Sequence, residues 1–155
     1  MRREVRTPLH DNAKDRNITG YDLITVYDYE SFPYNKFKYS SIIEQGKKKC
    51  YNLIATFDIE TTSILDDDNV FGSPFGFMYV WQFCIEGIVC IGRTWEEYGD
   101  FLEKLRETIG FDEWCPLVIW VHNLQFEFQF MRNFFEIDKV FATDKRNVVR
   151  AEMEG

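Results

Sequence analysis

The chain has 155 residues, of which 45% are hydrophobic and 17% aromatic, which is ample for one sizeable core. Its formal net charge of −8 opposes the simplest kind of nucleic-acid binder, which would present a basic surface. The four cysteines lack Cys-x-x-Cys spacing, which argues against zinc and for free thiols in a reducing compartment, and no apolar run approaches the ~18 residues of a membrane span.

The N-terminal third differs in pattern from the rest. Residues 1–17 are polar and charged and are predicted to be mobile. A loose alternation of apolar and polar residues within 18–43 predicts a strand or a hairpin. Gly46 and the three lysines after it predict a solvated turn. We therefore expect residues 1–48 to form an N-terminal extension and residues 49–155 the main domain.

The next predicted strand carries two acidic residues. The apolar run from Leu53 delivers Asp58 and Glu60, and alternating strand side chains put both on one face, roughly 6–7 Å apart at the backbone. Unpaired carboxylates this close repel each other, whereas Mg²⁺ or Mn²⁺ keeps both ionised. The pair therefore predicts half of a divalent-metal site.

Two other acidic groups are interpreted as surface. Asp28 and Glu30 repeat the Asp-x-Glu spacing, but Pro33 soon follows and argues against a central strand. The run 66–69 lacks the spaced ligands and terminal Glu of a calcium loop, so we predict an exposed turn there.

The middle of the chain predicts a hairpin and then a helix. Strands are expected at 76–85 and 88–91, joined by Glu86 and Gly87. Thr94 and the residues after it form a capping box, and the helix that it opens should end at Gly110. Its regularly spaced apolar residues indicate core packing.

The segment from residue 117 onward has the pattern of a strand, a helix cap and a helix. Residues 117–121 are almost wholly apolar, which predicts a strand buried on both faces. Asn123 follows where a helix N-cap is wanted, and Glu127 lies one turn later on the same side. An apolar stripe on this helix consists of Phe126, Phe130 and Phe134.

The order strand, strand, strand, helix, strand, helix, with the acidic pair on the first strand, is that of a ribonuclease H-like fold. We expect an α/β domain with a mixed sheet flanked by helices, incomplete at its C-terminus.

Two motifs resemble the 3′-5′ exonuclease domain of family B DNA polymerases, most closely the protein-primed type of phages and linear plasmids. Residues 58–61, Asp-Ile-Glu-Thr, resemble the first exonuclease motif, and residues 122–127, His-Asn-Leu-Gln-Phe-Glu, resemble the second. The resemblance implies metal ligation by Asp58 and Glu60, support of a second ion by Glu127, and contacts to the terminal nucleotides by Thr61, Asn123 and Phe126.

The chain departs from the family pattern in two ways. Position 127 is Glu where the family usually has Asp, so the carboxylate reaches one methylene further. No third motif is found, because Asp138 and Asp144 follow too soon after the predicted helix. We therefore expect the catalytic set to be incomplete in this chain. His122 is interpreted as an orienting residue, since a two-metal site activates water without a histidine.

The resemblance implies the N-terminal part of a DNA-directed DNA polymerase with a two-metal 3′-5′ proofreading exonuclease, using Mg²⁺ or Mn²⁺. Its expected partners are the single-stranded 3′ end of primer DNA and a terminal protein, with no membrane, in the cytoplasm, or the host cytoplasm for a viral protein. Two alternatives stay open: a stand-alone ribonuclease H-like exonuclease of DNA or RNA, and a degenerate domain that binds nucleic acid or a partner without cutting.

Overall fold

The computed structural model describes residues 3–8, 21–46, 48–64, 75–143 and 147–153. Most of the predicted mobile segment, the predicted acidic turn at 66–69 and Asp144 lie outside these residues.

The described strands are β1 (Arg3–Pro8), β2 (Tyr21–Tyr27), β3 (Ile42–Gln45), β4 (Lys48–Tyr51), β5 (Ala55–Ile64), β6 (Phe75–Ile85), β7 (Ile88–Gly92), β8 (Ile119–Val121), β9 (Ile137–Thr143) and β10 (Asn147–Met153). The helices are α1 (Trp95–Ile109) and α2 (Leu124–Met131), with a single 3₁₀ turn at Tyr34–Phe37.

Six of the strands form one mixed sheet in the order β1-β2-β7-β6-β5-β8. β5, β6 and β7 are an antiparallel meander, whereas β8 lies parallel to β5 and β2 lies parallel to β7. The chain is thus an α/β protein whose mixed sheet is flanked by two helices. From β5 to α2 the elements follow the predicted order of three strands, helix, strand and helix.

The predicted hairpin and helix are confirmed. Glu86 and Gly87 both have positive φ, 48° and 78°, as the two central residues of a tight hairpin turn require. Thr94 accepts a hydrogen bond from the Glu97 backbone and the Glu97 side chain accepts one from the Thr94 backbone, which closes the capping box. Gly110 ends α1 in the left-handed conformation.

The core lies between α1 and one face of the sheet. Phe57 and Ile59 of β5 are buried there, and Tyr98 of α1 stacks on Phe57 with ring centroids 4.6 Å apart. Trp81 of β6 is fully buried, and its indole donates a hydrogen bond to the Thr94 carbonyl over 2.9 Å. This packing fixes β5 and β6, the strands that carry the candidate site.

The N-terminal third joins the same sheet. Arg3–Pro8 forms β1, whose partner is β2, and β2 in turn pairs with β7. The predicted mobility of residues 1–17 stays a prediction. Phe32 and Phe37 are buried in the main core. The proposed domain boundary after residue 48 stays a prediction. The predicted lysine turn is shorter than expected, since Lys48 and Lys49 belong to β4.

Two further predictions need correction. β8 covers only Ile119–Val121 and pairs with β5 alone, so it is an edge strand in the described sheet and not buried on both faces; Trp120 is 64% exposed. The helix α2 ends at Met131, so Phe134 lies beyond it and stacks on Trp95 with ring centroids 5.4 Å apart. The apolar run of β8 therefore lies at the edge of the sheet, and Phe134 packs on Trp95 instead of extending the stripe of α2.

Candidate metal centre

The strand β5 presents Asp58 and Glu60 on the face opposite the core. Phe57 and Ile59 are 3% and 5% exposed against the core, whereas Asp58 is half-buried and Glu60 is exposed. The alternation places both carboxylates on one face, as predicted. Thr61, the last residue of the first motif, is half-buried.

A β-bulge interrupts the pairing of β5 with β6 beside these residues. Asp58 pairs with Gln82 and Glu60 with Val80, but Thr61 pairs with Met78, so Tyr79 has no partner across the strand. Such bulges locally twist a strand and re-aim its side chains. The change of register falls directly after Glu60, at the predicted transition from acidic pair to nucleotide-binding threonine.

The second motif approaches along β8. Since β8 is parallel to β5 and Val121 pairs with Phe57, His122, which follows β8, comes beside Asp58 within β5, and both residues line one cleft. Asn123 takes the N-cap position of α2, where its backbone carbonyl accepts hydrogen bonds from Phe126 and Glu127. Its side chain makes no capping hydrogen bond.

Glu127 is the most unusual side chain of the site. It is 2% exposed, and its Oε2 atom has no hydrogen-bond partner among the described residues. Burial raises the pKa of this carboxyl above its ordinary value, and the neighbouring Asp58 carboxylate raises it further, while its own backbone N–H and His122 act in the opposite direction. A buried carboxylate oxygen without a donor fits a site that receives a cation.

The three predicted carboxylates, Asp58, Glu60 and Glu127, do not form one compact group in the described structure. The structure brings Asp58 and Glu127 into interaction, and Glu60 shares the strand face. Among the described residues, however, no group of three or more acidic, histidine or cysteine side chains is compact enough to hold a metal ion. The two predicted motifs therefore meet at Asp58 and Glu127.

The remaining predicted contacts lie around this pair. Phe126 is 37% exposed and its ring lies 5.1 Å from that of Phe130, centroid to centroid. His122 is exposed beside Glu127. Asp138, rejected as a third-motif residue, is exposed on β9.

An open cleft of about 510 Å³ lies against Asp58. Most of its lining residues, among them Gln82 and Trp120, were not predicted as part of the site from the sequence. Gln82 donates a hydrogen bond from Nε2 to Asp58 Oδ2 over 3.3 Å. Its polarity within an otherwise apolar strand was the available signal, but its position opposite Asp58 depends on the register between β5 and β6.

The second Asp-x-Glu has the predicted surface character. Asp28 accepts a hydrogen bond from the Ser31 backbone over 2.9 Å, and Glu30 is exposed. All four cysteines are free thiols, with Cys50 and Cys90 buried. This agrees with the prediction from their spacing.

Comparison with known proteins yields no match to a protein-family model, to a curated protein or to a solved structure. In the part of the chain that the structure describes, no helix is both long and apolar enough to cross a membrane.

Proposed function

We propose that this chain is the N-terminal part of a protein-primed-type family B DNA polymerase and carries part of a two-metal 3′-5′ exonuclease site. The observation that carries the proposal is the buried Glu127 carboxylate beside Asp58, whose Oε2 atom has no hydrogen-bond partner among the described residues. When both carboxylates are ionised, a positive partner stabilises such a pair, and a hard divalent cation prefers oxygen ligands.

The fold supports the same reading. The meander β7-β6-β5 is extended by the parallel strand β8, and the acidic pair lies on its first strand, β5. This arrangement is compatible with a ribonuclease H-like sheet. A catalytic pair on an interior strand, met by the helix that follows the neighbouring strand, suits a site that needs precise placement.

Each proposed ligand has a distinct role. Asp58 and Glu60 would hold the ions, and Glu127 would reach the cation directly or through a water molecule, since its side chain is one methylene longer than the family's Asp. Bound Mg²⁺ or Mn²⁺ supplies a nucleophilic hydroxide and stabilises the leaving oxygen in phosphodiester hydrolysis. Asp58 and Glu127 must both be deprotonated to bind it.

The proposed substrate contacts come from both motifs. The uncapped Asn123 amide and the partly exposed Phe126 ring lie at the start of α2, and Thr61 lies at the end of the acidic segment. Aromatic stacking binds single-stranded DNA without a basic surface, which fits the net charge of −8. The proposed substrate is the single-stranded 3′ end of primer DNA, and a terminal protein is the proposed protein partner.

One observation favours a second candidate, a nucleic-acid-binding domain that does not cut. Glu60 is exposed and forms no compact three-ligand group with Asp58 and Glu127 in the described residues. A site with two ligands in contact would bind a cation weakly and place it loosely.

Calorimetric titration with Mn²⁺ tests the proposal. The wild type should bind Mn²⁺, and Asp58→Ala and Glu127→Ala should each abolish binding. Glu30→Ala, from the surface copy of the motif, is the matched control and should bind as the wild type does. Equal binding by Asp58→Ala and the wild type would refute the metal site.

A further inference from the structure

Gln82 lies directly across the sheet from the central ligand of the proposed site. Asp58 and Gln82 are register partners in the antiparallel pair β5 and β6, so their side chains project from the same face. Both line the open cleft and both are half-buried. The neighbouring β6 residues on the core face, Trp81 and Phe83, are fully buried and hold the strand in place.

The contact between them is specific to one oxygen atom. Gln82 Nε2 donates to Asp58 Oδ2 over 3.3 Å, which leaves Asp58 Oδ1 unused by the glutamine. An Asp side chain without such a donor can rotate about χ2, so the plane of its carboxylate is not fixed. One hydrogen bond to one oxygen therefore selects an orientation.

The chemical type of the donor matters as much as its position. Lysine or arginine opposite Asp58 would neutralise the carboxylate and compete with a cation, whereas a carboxylic residue would add repulsion. A neutral amide restrains the carboxylate and leaves its charge for the metal. Among the described residues, no salt bridge to Asp58 is present.

We infer that Gln82 is a positioning residue of the proposed cation site, which holds Asp58 through Oδ2 so that the carboxylate meets the ion in one orientation. The inference rests on the proposed function. It adds to the exonuclease motifs a residue from the neighbouring strand, outside both of them.

The test compares cation affinities of the full chain by calorimetry. Gln82→Leu removes the donor at similar size, and we expect Mn²⁺ affinity to fall by about 10- to 100-fold, as is typical when a partner of a metal ligand is lost. Mg²⁺ affinity should fall by a larger factor, because Mg²⁺ tolerates less deviation from octahedral geometry. Thr56→Val, which alters the same cleft beside Asp58, is the matched control and should bind both ions unchanged.

A second variant guards against a folding defect. Gln82→Asn keeps the amide but is too short by one methylene, so it should fold and still bind both ions more weakly. Unfolding by urea in EDTA identifies any variant that is merely destabilised. A purely structural role for Gln82 would lower stability without changing the ratio of Mg²⁺ to Mn²⁺ affinity.

The outcomes separate the two proposals. If Asp58→Ala loses Mn²⁺ binding but both Gln82 variants bind like the wild type, the inference is overturned and the metal site stands. If the wild type itself shows no Asp58-dependent binding, the proposed function and the inference fall together. A loss of affinity for both ions that is larger for Mg²⁺, in both Gln82 variants, supports the inference.

Discussion

Replacing Glu127 by Gln should stabilise the metal-free protein at neutral pH. The side chain is 2% exposed, and Oε2 has no donor among the described residues. Burial and then Asp58 raise the pKa of this carboxyl, so the folded state binds the proton more tightly than the unfolded chain does. Ionised Glu127 therefore costs stability above its ordinary pKa of ~4.3, and the cost grows until the pH exceeds the folded pKa.

The size of the effect follows from two estimates. Each unit of pKa displacement corresponds to about 1.4 kcal/mol, and a buried unsatisfied polar group costs about 1–3 kcal/mol. The neutral Gln amide removes the charge and can donate to Asp58. We expect a gain on the order of 1 kcal/mol at pH 7.5, or about 2–4 °C in Tm for a chain of this length.

The assay is urea unfolding in EDTA between pH 5 and pH 8. The advantage of Glu127→Gln should shrink as the pH falls, because the wild-type carboxyl then takes up its proton. Saturating Mn²⁺ should reverse the order, since 100-fold excess over Kd stabilises a binding protein by about 2.7 kcal/mol and the variant should not bind. Glu30→Gln, at an exposed site, is the control. A variant less stable than wild type in EDTA at pH 7.5 would refute the reasoning.

Three further measurements test the metal site, the core and the catalytic activity. Mn²⁺ affinity should rise with pH through the raised pKa of Glu127, because binding releases the proton of this carboxyl. Calorimetry in two buffers of different ionisation enthalpy detects that release. Binding that does not depend on pH would contradict the prediction. Gly92→Ala should cost about 1–3 kcal/mol in urea unfolding, because a Cβ there would lie 2.4 Å from the Trp81 ring, whereas Gly87→Asn should fold normally. Residues 1–155 alone should show negligible 3′-5′ exonuclease activity on a 5′-labelled oligonucleotide with Mn²⁺; cleavage that Asp58→Ala abolishes would show that the site is complete.

Local signals in the sequence predicted the elements that local interactions decide. The Glu86-Gly87 turn and the Thr94 capping box each lie within a few residues of chain, and both are confirmed. The shared face of Asp58 and Glu60 follows from strand geometry alone. The position of Asn123 at the start of α2 is likewise a local property of the strand-to-helix turn.

Features that depend on residues distant in the chain could not be predicted from the sequence. An apolar run looks the same on an edge strand as on a central one, so the exposure of Trp120 could not be read from residues 117–121. The pairing of β2 with β7 joins segments more than sixty residues apart. The bulge at Tyr79 and the hydrogen bond from Gln82 to Asp58 both depend on the register between β5 and β6.

The burial of Glu127 has two possible causes, and they predict different behaviour. Glu127 and Met131 lie four residues apart on α2 and are both buried, so docking of the helix through Met131 necessarily draws Glu127 into the protein. If docking were the whole reason, Gln at position 127 would be at least as favourable with Mn²⁺ as without it. A charge retained at a cost in stability is expected where it binds something. The reversal of stability by Mn²⁺ therefore distinguishes a metal ligand from a residue that helix packing merely buries.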